Sequence, residues 1–154
     1  MNPLLTYRHL DTEDDIASAY AVMYELRPHL PSPAAFAAQV VRQQEHGYRL
    51  LAACADGVVI ALAGYRTTEN LLYGAFIYVD DLVVTEAHRC ASVGSALLDA
   101  VREIAVELGC AHFVLDTGLH MPLAQRFYFR QGLLARGMHF VQPLGDSAVT
   151  KRSA

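Results

Sequence analysis

Apolar residues recur along this chain at two spacings, and the changes from one to the other mark the elements. Ile16, Tyr20, Met23 and Leu26 repeat at helical spacing after Thr12-Glu-Asp-Asp, which has the form of a capping box with Asp15 at the third helical position. Pro28 and Pro31 interrupt that pattern. Ser32 and Pro33 then supply an N-cap and a first-turn proline for a second helix. Its apolar face carries Phe36, Val40 and Val41, and Gly47 stops it. A short first strand is predicted over residues 6–10, ahead of both helices.

Two strands, residues 50–55 and 58–65, flank Asp56-Gly57, a strong two-residue hairpin signal. Residues 67–74 read as a loop or a frayed strand end. Residues 76–84 are apolar on both faces except for Asp80 and Asp81, which predicts a central strand with something packed on each side. Residues 92–108 form the clearest helix, with Val93, Ala96, Leu97, Ala100, Val101, Ile104 and Leu108 in one apolar stripe and Gly109 at its end. A strand over 112–116 follows. A helix from Pro122 to Gly132 has Ala124, Phe127, Tyr128 and Gln131 on one side, and a last strand is predicted over 134–142. Residues 143–154 read as a frayed tail. The order β-α-α-β-β-β-α-β-α-β predicts an α+β fold whose mixed, central sheet is partly antiparallel and partly parallel.

A chain of 154 residues, 53% of them hydrophobic, predicts a single domain over 1–154 with a core that needs no disulfides or metals. The net charge of −4 argues against nucleic acid or an anionic membrane as partner, because both require a basic footprint. The three cysteines form no CxxC pair and the seven histidines no HxxxH or HExxH pattern, so no metal site is expected. The N-terminal residues lack the charged and apolar regions of a signal peptide, and no apolar run reaches the length of a membrane span. A cytoplasmic location is the resulting expectation.

Chemistry concentrates in residues 78–95, where the central strand runs through a short polar loop into the best helix. That geometry aims unpaired main-chain amides and the positive end of a helix dipole at one edge of the sheet, a site for anions. Arg89 adds charge, and Gly94 permits close approach. GxxxxGK[ST] and GxGxxG are both absent. Strand alternation puts Asp80 on one face with Tyr78 and Leu82, and Asp81 on the other. Two adjacent carboxylates on a buried strand either pair with arginines to hold the fold or act in proton transfer.

The run Arg89-Cys90-Ala91-Ser92-Val93-Gly94 resembles R/Q-x-x-G-x-G/A, the signature of the GNAT N-acetyltransferase superfamily. VDDLVV resembles that superfamily's fourth strand and LAQRFYFRQGL its closing motif, and the element order agrees over residues 5–142. RCASVGSALL and AQRFYFRQG are also similar to aminoalkylphosphonate N-acetyltransferases. The resemblance implies a sheet of about six to seven strands with about four helices, acetyl-CoA as co-substrate, no metal, and a small-molecule amine as acceptor. It also implies a homodimer. It assigns the CoA diphosphate to Arg89, Cys90, Ala91, Ser92, Val93, Gly94 and Ser95. The pantetheine arm falls to the backbone of Leu82, Val83 and Val84, with Ala124 nearby. Tyr128 becomes the general acid, Asp80 the first and Asp81 the second candidate base, and Tyr24, Arg27, His29 and Tyr78 the acceptor pocket. Arg27 or Arg66 would hold an anionic group of the acceptor. Ser92 departs from the signature's middle glycine, which predicts strain if that position needs a positive φ. Two other readings stay open: a CoA-binding protein without catalysis, and a protein or peptide N-acetyltransferase.

Overall fold

The computed structural model describes residues 4–89 and 92–145, so the site candidates Cys90 and Ala91 lie outside the described residues. The chain groups into two compact units, Met1–Leu115 and Asp116–Ala154.

In the first unit β1 (Leu5–His9) is followed by α1 (Glu13–Ser18), α2 (Tyr20–Leu26) and α3 (Pro33–Gln44). The antiparallel strands β2 (Tyr48–Ala55), β3 (Val58–Asn70) and β4 (Gly74–Val84) come next, then α4 (Val93–Glu107) and β5 (His112–Leu115). They form one five-stranded sheet in the order β1-β2-β3-β4-β5, with only β4 and β5 parallel. Local signals account for most of these boundaries. The Thr12 hydroxyl accepts the Asp15 amide at 3.2 Å, and the Ser32 hydroxyl accepts the Ala35 amide at 3.1 Å, each satisfying a helix-start donor. Asp56 and Gly57 both take positive φ, 50° and 79°, the conformation that closes a tight β2–β3 hairpin.

Helices cover both faces of the sheet. α1, α2 and α3 bury Ile16, Met23, Phe36 and Val40 against Leu50, Ala52, Leu62 and Val83. α4 buries Val93, Leu97 and Val101 against Ala53, Ala61, Ile77 and Val79. β4 is an interior strand, as its two-sided apolar pattern predicts.

Several expectations need correction. The first predicted helix is two helices, because the chain leaves helical geometry at Ala19 (φ −92°, ψ 3°). The described residues therefore hold five α-helices and five strands, against the four helices and six to seven strands expected. Residues 67–70 continue β3, since their pairing with β4 runs to Asn70↔Gly74. The Asn70 side chain then accepts the Leu72 and Tyr73 amides and turns the chain. Val41 and Leu108 are exposed, and Ala37, Leu98 and Ala105 take the core positions instead; the stripes follow the helical period more closely than hydrophobicity alone suggests.

In the second unit α5 (Pro122–Arg130) ends where the Gln131 amide reaches the Phe127 carbonyl at 3.0 Å. The strand predicted over 134–142 does not form. That segment has no main-chain ladder among the described residues, and Leu134, Met138, Phe140 and Val141 are exposed. An apolar-rich run makes a strand only when another edge supplies its hydrogen bonds. Residues 143–145 likewise carry no regular structure.

Candidate active site

The site begins with a register shift. β3 and β4 pair as Gly64↔Asp81 and then Tyr65↔Val79, which leaves Asp80 as the extra residue of a β-bulge. Before the bulge, Ile77 and Val79 face α4; after it, Leu82 and Val84 do. The alternation is thereby reset, and Asp80 and Asp81 line the same cavity. This corrects the expectation that they lie on opposite faces. Simple alternation fails because one residue is accommodated without a partner.

That cavity, about 250 Å³, lies on the α1–α3 side of the sheet. Met23 of α2 and its C-cap Arg27, with His29 and Leu30 of the following turn, form one wall. Phe36, Gln39, Val40 and Gln43 of α3 form another, with Tyr48 beside the two carboxylates. Of the expected acceptor residues, Arg27 and His29 line it. Tyr24 is exposed and meets Tyr20 at a tilt (ring centroids 5.6 Å apart), and Tyr78 is half-buried in mid-strand opposite Arg66; neither lines the cavity. Tyr48, Gln39 and Gln43 escaped sequence reasoning. Gln39 and Gln43 are four apart beside Phe36 and Val40, a spacing that could have placed them on this face.

Both carboxylates have arginine partners. Arg27 donates from Nε to Asp81 Oδ1 (3.0 Å) and from Nη2 to the Asp80 carbonyl (3.1 Å). Arg66 Nε donates to Asp80 Oδ2 (3.0 Å). The Tyr48 hydroxyl donates to Asp81 Oδ2 at 2.8 Å, and the Arg66 guanidinium lies over the Tyr48 ring at 5.6 Å. Burial raises the Asp80 pKa above the ordinary carboxylate value, with the charge of Asp81 adding to the rise and Arg66 opposing it. Burial, then the charge of Asp81, holds the Tyr48 hydroxyl protonated well past the usual tyrosine range. The pair is therefore anchored without being wholly neutralised: Asp80 is the carboxylate whose proton affinity is tuned upward.

The other edge of β4 offers a second feature. β5 pairs with β4 only from Phe76↔His112 to Val79↔Leu115. From Asp80 to Val84, β4 has a strand neighbour on the β3 side alone among the described residues. An extended ligand can add to such an edge through main-chain hydrogen bonds. The Val83 and Val93 side chains are buried in the two cores, so ligand contact at those positions must come through the backbone. Leu82 and Val84 pack toward α4.

Beyond β4 a short 3₁₀ turn (Glu86–His88) leads to Arg89 and α4. The first bond inside α4 runs from the Ala96 amide to the Ser92 carbonyl (3.0 Å), so the amides of Val93 and Gly94 head the helix. Gly94 and Ser95 are half-buried there. Ser92 takes φ 59°, ψ 11°, the left-handed conformation that its replacement of glycine made a concern. We expect Ser92→Gly to relieve this strain and raise stability by up to about 1 kcal/mol, after the entropy cost of glycine is deducted. The check is a thermal melt; an unchanged or lower midpoint would show that Ser92 is not strained.

The remaining candidates, Ala124 and Tyr128, lie on α5 in the second unit and are both half-buried. The Tyr128 ring meets Phe127 edge-on at 5.3 Å, and burial raises its pKa. A phenol in that condition keeps its proton at neutral pH and can donate it.

The sequence model of the acetyltransferase (GNAT) family matches residues 13–133. No curated protein matches the sequence at a significant level. Among solved structures, the chain is similar to the aminoglycoside N-acetyltransferase AAC(6')-Iy in complex with CoA. The TM-score is 0.80 at 17% identity, with 94% of this chain and 97% of that chain covered. A transcriptional regulator from Bacillus halodurans C-125 superposes with TM-score 0.80 at 22% identity, over 92% and 100%. A ribosomal-protein-alanine N-acetyltransferase from Brucella melitensis biovar Abortus 2308 gives 0.79 at 17%, over 92% and 100%. Identities this low establish a shared fold.

Proposed function

The chain belongs to the acetyltransferase (GNAT) family, and on that premise we propose that it moves the acetyl group of acetyl-CoA to a primary amine of a small metabolite. The observation that carries this reading is the two-sided use of β4. Among the described residues its carboxyl half has no strand on one edge, which leads to the amides at the start of α4, while its bulge presents Asp80 to a cavity open to solvent. A thioester arm lying along the edge and an amine in the cavity would approach the same few residues.

In this reading the Val93 and Gly94 amides and Arg89 receive the diphosphate, and the backbone of Leu82–Val84 receives the pantetheine arm and polarises the thioester carbonyl. The family resemblance extends the diphosphate assignment to Cys90, Ala91, Ser92 and Ser95, and puts Ala124 on the cofactor side. An aliphatic ammonium has a pKa near 10 and must lose a proton before it attacks. Asp80, directly or through water, takes that proton; its raised pKa suits the task. The amine nitrogen bonds to the carbonyl carbon, the carbon–sulfur bond breaks, Tyr128 protonates the leaving thiolate, and the nitrogen releases its remaining extra proton to solvent, from which Tyr128 is reprotonated. Asp81 is then a positioning residue, because Arg27 and Tyr48 occupy both its oxygens. Because Asp80 must be ionised, turnover should rise as pH climbs through its pKa, which burial sets above the ordinary aspartate value; a rate independent of pH across that limb counts against Asp80 as base.

Arg27 and Arg66 are each engaged by a carboxylate. Asp80 and Asp81 also place two carboxylates in the cavity wall, so an acceptor with an anionic group, such as an aminoalkylphosphonate, finds less support here than a neutral or cationic amine. His29, Gln39 and Gln43 leave the wall polar enough for hydroxyl or amide substituents. The family analogy further suggests a homodimer in the cytoplasm. The same arginine pairing favours one rival, a CoA-binding protein without turnover. Calorimetry with CoA, run beside thiol release from acetyl-CoA over an amine panel, separates the two. CoA binding with no thiol release by any amine would leave the rival standing, and no CoA binding would remove both.

A further inference from the structure

We propose that Glu25 is a positioning residue for the anion-binding turn, setting the guanidinium of Arg89 for the diphosphate of the co-substrate; this rests on the acetyl-CoA reading above. Glu25 occupies the last turn of α2 and is 61 residues before the turn it touches. One of its oxygens, Oε2, accepts the Glu86 amide at 3.0 Å and Arg89 Nη2 at 3.0 Å. The first bond fixes the start of the 3₁₀ turn, and the second fixes the side chain at its far end. Arg89 Nε is held independently by the Val84 carbonyl at 3.1 Å. Nε and Nη2 are thus both committed to fixed acceptors on one edge of the guanidinium plane. Among the described residues Nη1 has no acceptor, so the group offers its remaining donors in one set direction.

Stability does not explain this arrangement. The pair is open to solvent, with side-chain exposures of 55% for Arg89 and 32% for Glu25. Exposed pairs of this kind contribute little to folding. Orientation is where the contact has value, since a long flexible side chain must otherwise be immobilised when the ligand arrives. Two residues further on, the same end of α2 carries Arg27, which grips Asp81 and the Asp80 carbonyl at the cavity. One helix end therefore registers both the anion turn and the bulge.

The test is calorimetric titration of the full chain with CoA and with pantetheine, which lacks the diphosphate. Glu25→Ala is expected to weaken CoA about five- to tenfold, as an unrestrained arginine would require. Pantetheine affinity should stay within twofold. Glu25→Gln keeps an oxygen acceptor at the same reach and should restore CoA binding to within about threefold of the wild type. A merely structural role would weaken both ligands together. A charge-repulsion role would make both variants bind CoA more tightly, and either result overturns the proposal, as does equal CoA affinity in Glu25→Ala and wild type. Failure of the wild type to bind CoA would instead sink the acetyl-CoA reading, and this proposal with it.

Discussion

Gly64→Ala is expected to deprive the protein of its stable fold. Gly64 lies on β3 opposite Asp81, at the register shift. A Cβ at that position would overlap the Tyr48 hydroxyl and approach Asp81 Oδ2 to 2.7 Å. Tyr48 has no room to yield: it is 1% exposed, it donates to Asp81, and Arg66 covers its ring. Admitting one methyl group means expelling that ring or breaking its buried hydrogen bond to a carboxylate. Either costs on the order of 3 kcal/mol or more, against a total stability of roughly 5–15 kcal/mol for a domain of this kind. The expected result is insoluble protein or a melting midpoint lowered by about 10 °C. Because the clash is with the hydroxyl first, Tyr48→Phe added to Gly64→Ala should recover part of the loss. A Gly64→Ala protein as stable as the wild type would show that the bulge is not packed as described.

Tyr128→Phe is expected to have the largest effect on turnover. The substitution removes one oxygen and keeps the ring that meets Phe127. If Tyr128 protonates the departing thiolate, kcat should fall by about 100-fold, within the range for loss of a general acid. CoA affinity should remain within twofold, because binding is assigned to main-chain amides and Arg89. Burial raises the Tyr128 pKa, so its proton is retained through neutral pH and its loss should lower activity only on the alkaline side, separate from the acid limb of Asp80. Full activity in the Phe variant would remove Tyr128 from the mechanism, and a parallel loss of CoA binding would make its role structural.

Two kinds of residue separate what could be read in advance from what could not. Thr12, Ser32, Asp56-Gly57 and Gly109 act on atoms a few positions away, and each produces the cap, turn or stop expected of it. The α4 stripe and the two-sided β4 are equally local, and so was the passage from β4 through Arg89 to the helix start. Asp80 and Asp81 show the opposite. Their pairing with Arg66 and Arg27 spans 14 and 54 residues, and no local pattern marks it. Glu25 and Tyr48 were invisible for the same reason, since their partners lie 61 and 33 residues away.

The amino-acid order by itself determined where most of the helices and strands before residue 131 lie, and that a strand passes into the best helix after β4, because capping, turn geometry and side-chain periodicity are settled within a few residues. Only the tertiary structure decided that both carboxylates share one cavity and that residues 134–142 do not make a strand. A bulge depends on what the neighbouring strand can accommodate, here Gly64 beneath Tyr48, and a ladder depends on an edge that supplies its hydrogen bonds. Those conditions are set by residues distant along the chain, so alternation within one segment carries no record of them.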